Sequence, residues 1–362
     1  MNISNNYKHK LLLEKYLRRN KRIRFNKRKI NISNRVSNRL EAAPPLKYIA
    51  IPSNLSFGSN WENFVKVLND IKYAIKHRRL KKGVINIDHS MLSHATPSGI
   101  LVLASTIERS QKLANVRFKG NEKYLPKDDV VNYLLNQIDY WKYFDVAKPK
   151  TSITQDQFSF FKIIDSYESD NTKIGKMVEF FEKKVGFNGE TRSLLFTALC
   201  EAAANSVEHG YKAVMYNQKT DRWWLTAYID KDSQEISFVF YDQGVGIFKS
   251  LENHKNKKIQ KFFNRTKKMV KNKPHANILK RMVETNFSKY STENRGYGIQ
   301  TFKHFIDEAE DGLLFIASEN ASYEFPANEL KEYTAYLEGT LIIWKIKVGY
   351  DINSNMYLKE EE

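Results

Sequence analysis

The sequence predicts an α/β (α+β) fold in which strands and helices alternate through two successive sheet-based domains. Three observations carry this. From Leu46 onward, short β-branched runs alternate with apolar stripes at helical spacing. A second alternating series follows a bridge at Pro149–Gly189 and contains a hairpin pattern, Trp223–Ile229 and Ile236–Tyr241, with turn residues Asp230–Gln234 between them. Two glycine motifs then punctuate that series: YDQGVGI at Tyr241–Ile247 ends a strand pattern, and RGYGI at Arg295–Ile299 opens a helical one. A chain of 362 residues has room for two domains of ordinary size.

Residues 1–45 stand apart. Residues 1–40 hold thirteen Lys and Arg against the single acid Glu14, or +12 of the net +18, so the remaining 322 residues carry +6. Such a segment is either a solvated basic tail or a binder of nucleic acid or an anionic membrane surface through phosphate contacts. Glu41-Ala-Ala-Pro-Pro45 closes it, since paired prolines stop a helix and stiffen a linker.

Residues 46–150 read as strand Tyr48–Pro52, helix Asn60–His77, strand Gly83–Asp88, helix Pro97–Leu113, strand Val116–Lys119 and helix Val130–Trp141. Residues 151–350 read as strand Phe158–Ile164, helix Ile174–Phe187, a helix through Leu199–Tyr211, the hairpin, the basic insert Phe248–Asn294 between the glycine motifs, and a closing strand Leu341–Val348. Residues 351–362 form a short acidic tail. The N-terminus has no apolar signal-peptide region and no run is long enough to span a bilayer. One cysteine, Cys200, leaves no intrachain disulfide framework and fits a reducing, cytoplasmic setting; it reads as a packing residue.

The chemistry concentrates in LCEAAANSVEHGY, Leu199–Tyr211. Read as one α-helix, it places Glu201, Asn205 and His209 on one face at four-residue spacing, while Leu195, Ala198, Leu199, Ala202, Ala203 and Val207 face a core. A carboxylate one turn before a carboxamide can polarise a water and help hold a magnesium ion. Asp242 at a strand end can accept from an adenine amino group, with Gly244 and Gly246 turning the backbone beneath the base. Gly296 and Gly298 precede a helix whose free N–H groups favour phosphate oxygens, and Arg295 beside them suits a phosphate.

In this order the motifs resemble the GHKL, or Bergerat-fold, ATPases over roughly Phe158–Val348. The N box matches as Glu201, Asn205 and His209-Gly210, the first glycine box as Asp242, Gly244 and Gly246, and the second as Gly296 and Gly298. Gly339-Thr340 is similar to the family's closing element beside the adenine. Within the family the chain looks nearest to the anti-sigma-factor serine kinases, which share the NxxxHGY ending and a short second box; the third glycine usual in sensor histidine kinases is missing. The resemblance implies an α/β sandwich binding ATP and Mg2+, with Asn205 on the metal, Glu201 as general base, His209 orienting phosphates, Asp242 and Thr340 selecting adenine, and the 248–294 insert as a lid. The charge of that insert would either neutralise phosphates or serve a separate acidic partner.

The N-terminal half resembles a STAS domain, the fold of anti-sigma-factor antagonists. The likeness rests on strand Val84–Asp88, the loop into Thr96-Pro97-Ser98-Gly99, the long apolar helix after it, and the late LLNQIDYWKYF segment. Ser98 holds the position that the family's partner kinase phosphorylates, although Thr96 replaces the family's aspartate and Pro97 its first serine; Ser98 equally suits a first-turn helix residue.

Two functions follow as expectations. One is a Mg-ATP-dependent protein-serine kinase or partner switch of anti-sigma type with a fused STAS-like domain. The other is an ATP-gated binding or ATPase module whose lid closure controls docking of nucleic acid or a protein partner through the basic segments. A histidine kinase is disfavoured, because none of the eight histidines is followed by Asp or Glu. The family commonly pairs, so a homodimer is an expected assembly.

Overall fold

The computed structural model describes residues 48–77, 84–114, 117–144, 146–153, 158–211, 220–270, 272–284, 298–309 and 311–348. The basic segment 1–40, the tail 351–362, Arg295 and Gly296 therefore lie outside the described residues.

Strand β1 (Tyr48–Ala50) leads through β2 (Asn54–Leu55) into helix α1 (Phe57–His77). The expected helix start, Asn60, is instead a non-helical kink near the front of α1, at φ −142° and ψ 35°. Strands β3 (Val84–Asp88) and β4 (His94–Ala95), helix α2 (Pro97–Ala114) and strand β5 (Arg117–Lys119) follow. β1, β3 and β5 form a parallel sheet in the order β1-β3-β5, and β2 pairs in parallel with β4. Parallel pairing needs crossovers, and α1 and α2 supply them.

Thr96 caps α2: its hydroxyl accepts from the Gly99 N–H at 3.2 Å and donates to the Leu55 carbonyl at 3.0 Å, with Pro97 at the position where a missing N–H costs nothing. Helix α3 (Asp129–Gln137) is shorter than its apolar pattern predicts. Asp139 adopts φ 64°, which breaks the run, and Tyr140–Tyr143 continues as a 3₁₀ turn packing Tyr140, Trp141 and Phe144 around His89.

The second half is built on an antiparallel sheet, β6-β7-β8-β10-β9, from β6 (Phe158–Ser166), β7 (Trp223–Asp230), β8 (Glu235–Asp242), β9 (Leu313–Phe325) and β10 (Glu329–Lys347). Helices α4 (Asn171–Val185), α5 (Gly189–Asn205), α6 (Ile247–Glu252), α7 (Lys257–Met269), α8 (Pro274–Glu284) and α9 (Gly298–Asp307) belong to this half. α4 is capped at its start by Asp170 and stopped by Gly186 at φ 69°.

Side chains alternate across the sheet with period two. Trp223, Leu225, Ile236, Phe238, Phe240, Ile342 and Trp344 join a core with Ile174, Phe181, Leu195 and Leu199 of the helices. Trp224, Val239, Tyr241, Ala317 and Leu341 face the other way and join the core of the N-terminal half, with Trp61, Phe64, Leu101 and Trp141. The sheet is thus covered on both faces, which is why β7 and β8 are almost continuously buried and read as near-unbroken apolar runs. The described residues, all within 48–348, accordingly belong to one compact unit.

Candidate functional site

Helix α5 carries the first candidates. Asn188 caps its N-terminus by accepting from the Thr191 N–H at 2.7 Å, and Leu195, Ala198, Leu199, Ala202 and Ala203 lock one face into the core. Glu201 and Asn205 are left partly exposed on the other side. The α-helix ends at Asn205, however, and Ser206–Gly210 is a π-helical turn. This corrects the expectation of one continuous α-helix: the wider turn changes the angular step per residue, and His209 is exposed, its ring 6.1 Å from that of His254.

The glycine motifs converge on this helix end. A Cβ on Gly298, at the start of α9, would lie 2.5 Å from Asn205 Nδ2 and 3.3 Å from Glu201 Oε2, so Gly298 sits directly over both side chains. A Cβ on Gly244 would lie 2.6 Å from the Gly210 Cα, and the Val245 N–H donates to the Gly210 carbonyl at 2.8 Å. Only glycines permit two backbones to approach this closely. Gly339 closes the set: at φ 87°, its absent Cβ would fall 1.9 Å from the Asp242 carbonyl. Thr340 stands opposite Asp242 in the β8–β10 register.

Asp242 is buried, and its Oδ1 accepts from the Gly244 N–H at 2.7 Å. Burial pushes its carboxyl up to about 7, against the opposing pull of the Gly244 N–H, the Arg109 charge and the Thr340 N–H. Next to it, the Ser206 hydroxyl is buried and has no partner among the described residues. A Cβ on Gly210 would touch Asp242 Oδ1 at 3.6 Å, the Gly244 Cα at 3.6 Å and Ser206 Oγ at 3.8 Å, so these groups line one spot. A buried acceptor and an unspent hydroxyl at one place suit the polar edge of a base. Desolvation raises Glu201 above the ordinary carboxylate range, with Glu208 adding like-charge repulsion. Burial likewise pushes the Cys200 thiol up to about 11, in keeping with a packing role.

Other members of the site were not singled out by sequence reasoning. The Tyr211 hydroxyl donates to the Arg222 carbonyl and accepts from the Gln243 N–H at 2.9 Å, tying the end of the Leu199–Tyr211 motif to the first glycine loop. From behind, α2 grips the same loop. Arg109 Nη1 donates to the Gln243 carbonyl at 2.8 Å, and Gln243 Nε2 reaches Ser105 Oγ at 3.2 Å and Thr106 Oγ1 at 3.4 Å. Arg109 also pairs with Glu338 at 2.8 Å, and Lys72 of α1 pairs with the same carboxylate at 2.8 Å. For Ser105, Thr106 and Arg109 the signal in the sequence is polar residues on an otherwise apolar helix, which have no partner until the fold supplies one.

Ser98 lies in the first turn of α2, 8% exposed, with its hydroxyl 3.1 Å from that of Thr96. Among the described residues no group of three His, Cys, Asp or Glu is placed to hold a metal ion, and no helix is long and apolar enough to cross a membrane. Asn205 with phosphate and water oxygens is a donor set of the kind magnesium accepts. No protein-family model matches the chain, and no curated protein matches it.

Proposed function

We propose that this chain is an ATP-binding regulatory protein of the GHKL type, acting as a Mg-ATP-dependent protein-serine kinase or partner switch through its N-terminal, STAS-like half. The observation that carries this reading is the convergence of segments distant in sequence: Gly298 over Asn205 and Glu201, Gly244 against Gly210, and Gly339-Thr340 against Asp242.

In this reading Asp242 accepts from the adenine amino group, with Ser206 and Thr340 beside it. Asn205 supplies an amide oxygen to magnesium, which when bound offsets charge developing on the transferred phosphoryl group. N–H groups at the start of α9 face the phosphates. Glu201, desolvated and therefore more basic than a surface carboxylate, takes the proton from an attacking hydroxyl or water. Arg295 and Gly296 belong to the same reading as phosphate contacts, and His209, exposed at the π-turn, orients phosphates only if it turns toward them.

One observation favours the second reading, an ATP-gated binding module: Ser98 is buried, so the folded state does not present that hydroxyl to a kinase. The test incubates the protein with magnesium and γ-labelled ATP beside Glu201→Ala and Asp242→Asn. Label on protein, lost in both variants, supports the kinase reading. Free phosphate without protein label supports the gated module. Absence of ATP binding overturns the assignment.

A further inference from the structure

From Asn253 to Val283 the chain holds eleven Lys and Arg and no acid. Much of this charge sits on α7, whose Ile259, Phe262, Phe263 and Thr266 are buried in the core. At 100° per residue, Lys257, Lys261, Arg265 and Lys268 fall within an arc of about 80° on the opposite side, and at 1.5 Å per residue they span about 16 Å. All four are exposed, and none forms an ion pair with a described carboxylate.

This helix breaks two local rules. Lys257 and Lys258 occupy its first turn, where the macrodipole disfavours cations and where no acid is present. Lys257/Lys261 and Lys261/Arg265 are like-charge pairs at four-residue spacing, each of which destabilises a helix. Among the described residues no acid offsets these costs, and a surface of this kind is matched to an external polyanion.

We infer that the exposed face of α7 is a docking surface for the phosphate backbone of a nucleic acid, bound without sequence readout. A membrane surface fits poorly, because the apolar face of α7 is spent in the core and Met269 is the one large apolar side chain exposed on the helix. The anchors of a protein–protein hot spot are poorly represented, since the face carries no exposed aromatic. A row of cations with small polar residues between them asks only for spaced phosphates.

The experiment measures binding of the full chain, without ATP, to labelled mixed-sequence duplex DNA and single-stranded RNA across a salt series by fluorescence anisotropy. The comparison variant combines Lys257→Gln, Lys261→Gln, Arg265→Gln and Lys268→Gln. Wild type is expected to bind, and the variant to lose about 3 to 4 from the slope of log affinity against log salt, with affinity weaker by at least tenfold. The variant's thermal midpoint should be unchanged or higher, since like-charge pairs are removed; a second variant with three Lys→Arg changes at the same positions should bind as wild type does. An unchanged slope in the glutamine variant places nucleic-acid binding on residues 1–40 and overturns the inference. So does wild-type binding confined to phosphatidylserine vesicles, or binding to neither probe.

Discussion

Asp242 concentrates opposing demands in one carboxyl group. Buried at the end of a doubly covered strand, it accepts a hydrogen bond from Gly244 and has its protonation midpoint raised from 3.8 to about 7. A carboxyl whose folded-state value lies above its unfolded value binds more protons when folded, so its contribution to stability falls as pH rises between those two values. At 1.36 kcal/mol for each unit, the full swing is up to about 4 kcal/mol. Asp242→Asn keeps a carbonyl for Gly244 and carries no charge, so its stability relative to wild type should rise from pH 4 to pH 8 in urea titrations. A constant difference across that range would remove the buried-carboxyl account. On the proposed ATP-binding function, the same variant should lose ATP binding, because its amide can present N–H to the adenine amino group where an acceptor is needed.

At the scale of elements, the glycines separate folding from function. Gly339 holds β10 against β8 at φ 87°, and a Cβ there meets backbone at 1.9 Å, which nothing flexible can relieve. Gly339→Ala should therefore lower stability by about 3 kcal/mol or more, since the positive φ alone costs roughly 1–2 kcal/mol. At Gly298 the neighbour is the amide end of Asn205, which can swing away. Gly298→Ala should leave the urea midpoint nearly unchanged while weakening ATP binding at least tenfold, about 1.4 kcal/mol. A large stability loss in this variant would mean that Asn205 is structural. The same elements show what a sequence makes legible. Helix α4 and strands β7 and β8 follow from apolar period, and the glycine motifs announce their turns. A closing strand is expected only over Leu341–Val348, yet the described chain ends in a hairpin whose strands β9 and β10 together run from Leu313 to Lys347. Its outer part, including EFPANELKEYTAY, is polar, and it is held by the N-terminal half: Trp61 stacks on Tyr333 at 4.0 Å, and Glu62 accepts from the Thr334 and Ala335 N–H groups. Strand order imposed by a distant partner leaves no periodic trace. For the same reason the π-turn at Ser206–Gly210 was not legible, because i, i+4 spacing is shared by the helix that precedes it.

Across the whole molecule, the division near residue 150 separates two cores that share one sheet. Among the described residues, the back face of that sheet, with Trp224, Val239, Tyr241, Ala317 and Leu341, is covered by α1, α2 and their neighbours. Where α1 and α2 meet the first glycine loop, Arg109, Lys72 and Glu338 form a partly buried cluster. Burial works against each charge, while Lys72 and Arg109 together hold Glu338 below its usual range. Arg109→Leu should destabilise by about 2 kcal/mol, because it leaves Glu338 with Lys72 and takes the Arg109 donor from the Gln243 carbonyl. The stronger consequence concerns the whole second half. Expressed alone, residues 151–348 would expose an apolar sheet face containing a tryptophan and a tyrosine that are fully buried in the intact chain. A contiguous patch of that kind drives aggregation or loose packing. The fragment should therefore bind the dye ANS, show a broad thermal transition and fail to bind ATP, while co-expression with residues 46–150 should restore a cooperative transition. A fragment that melts cooperatively and binds ATP by itself would show that the N-terminal half is a docked regulator on a self-sufficient nucleotide domain; the shared core argues that each half completes the other, so a signal that loosens α2 reaches Gln243 and Asp242 without a separate relay.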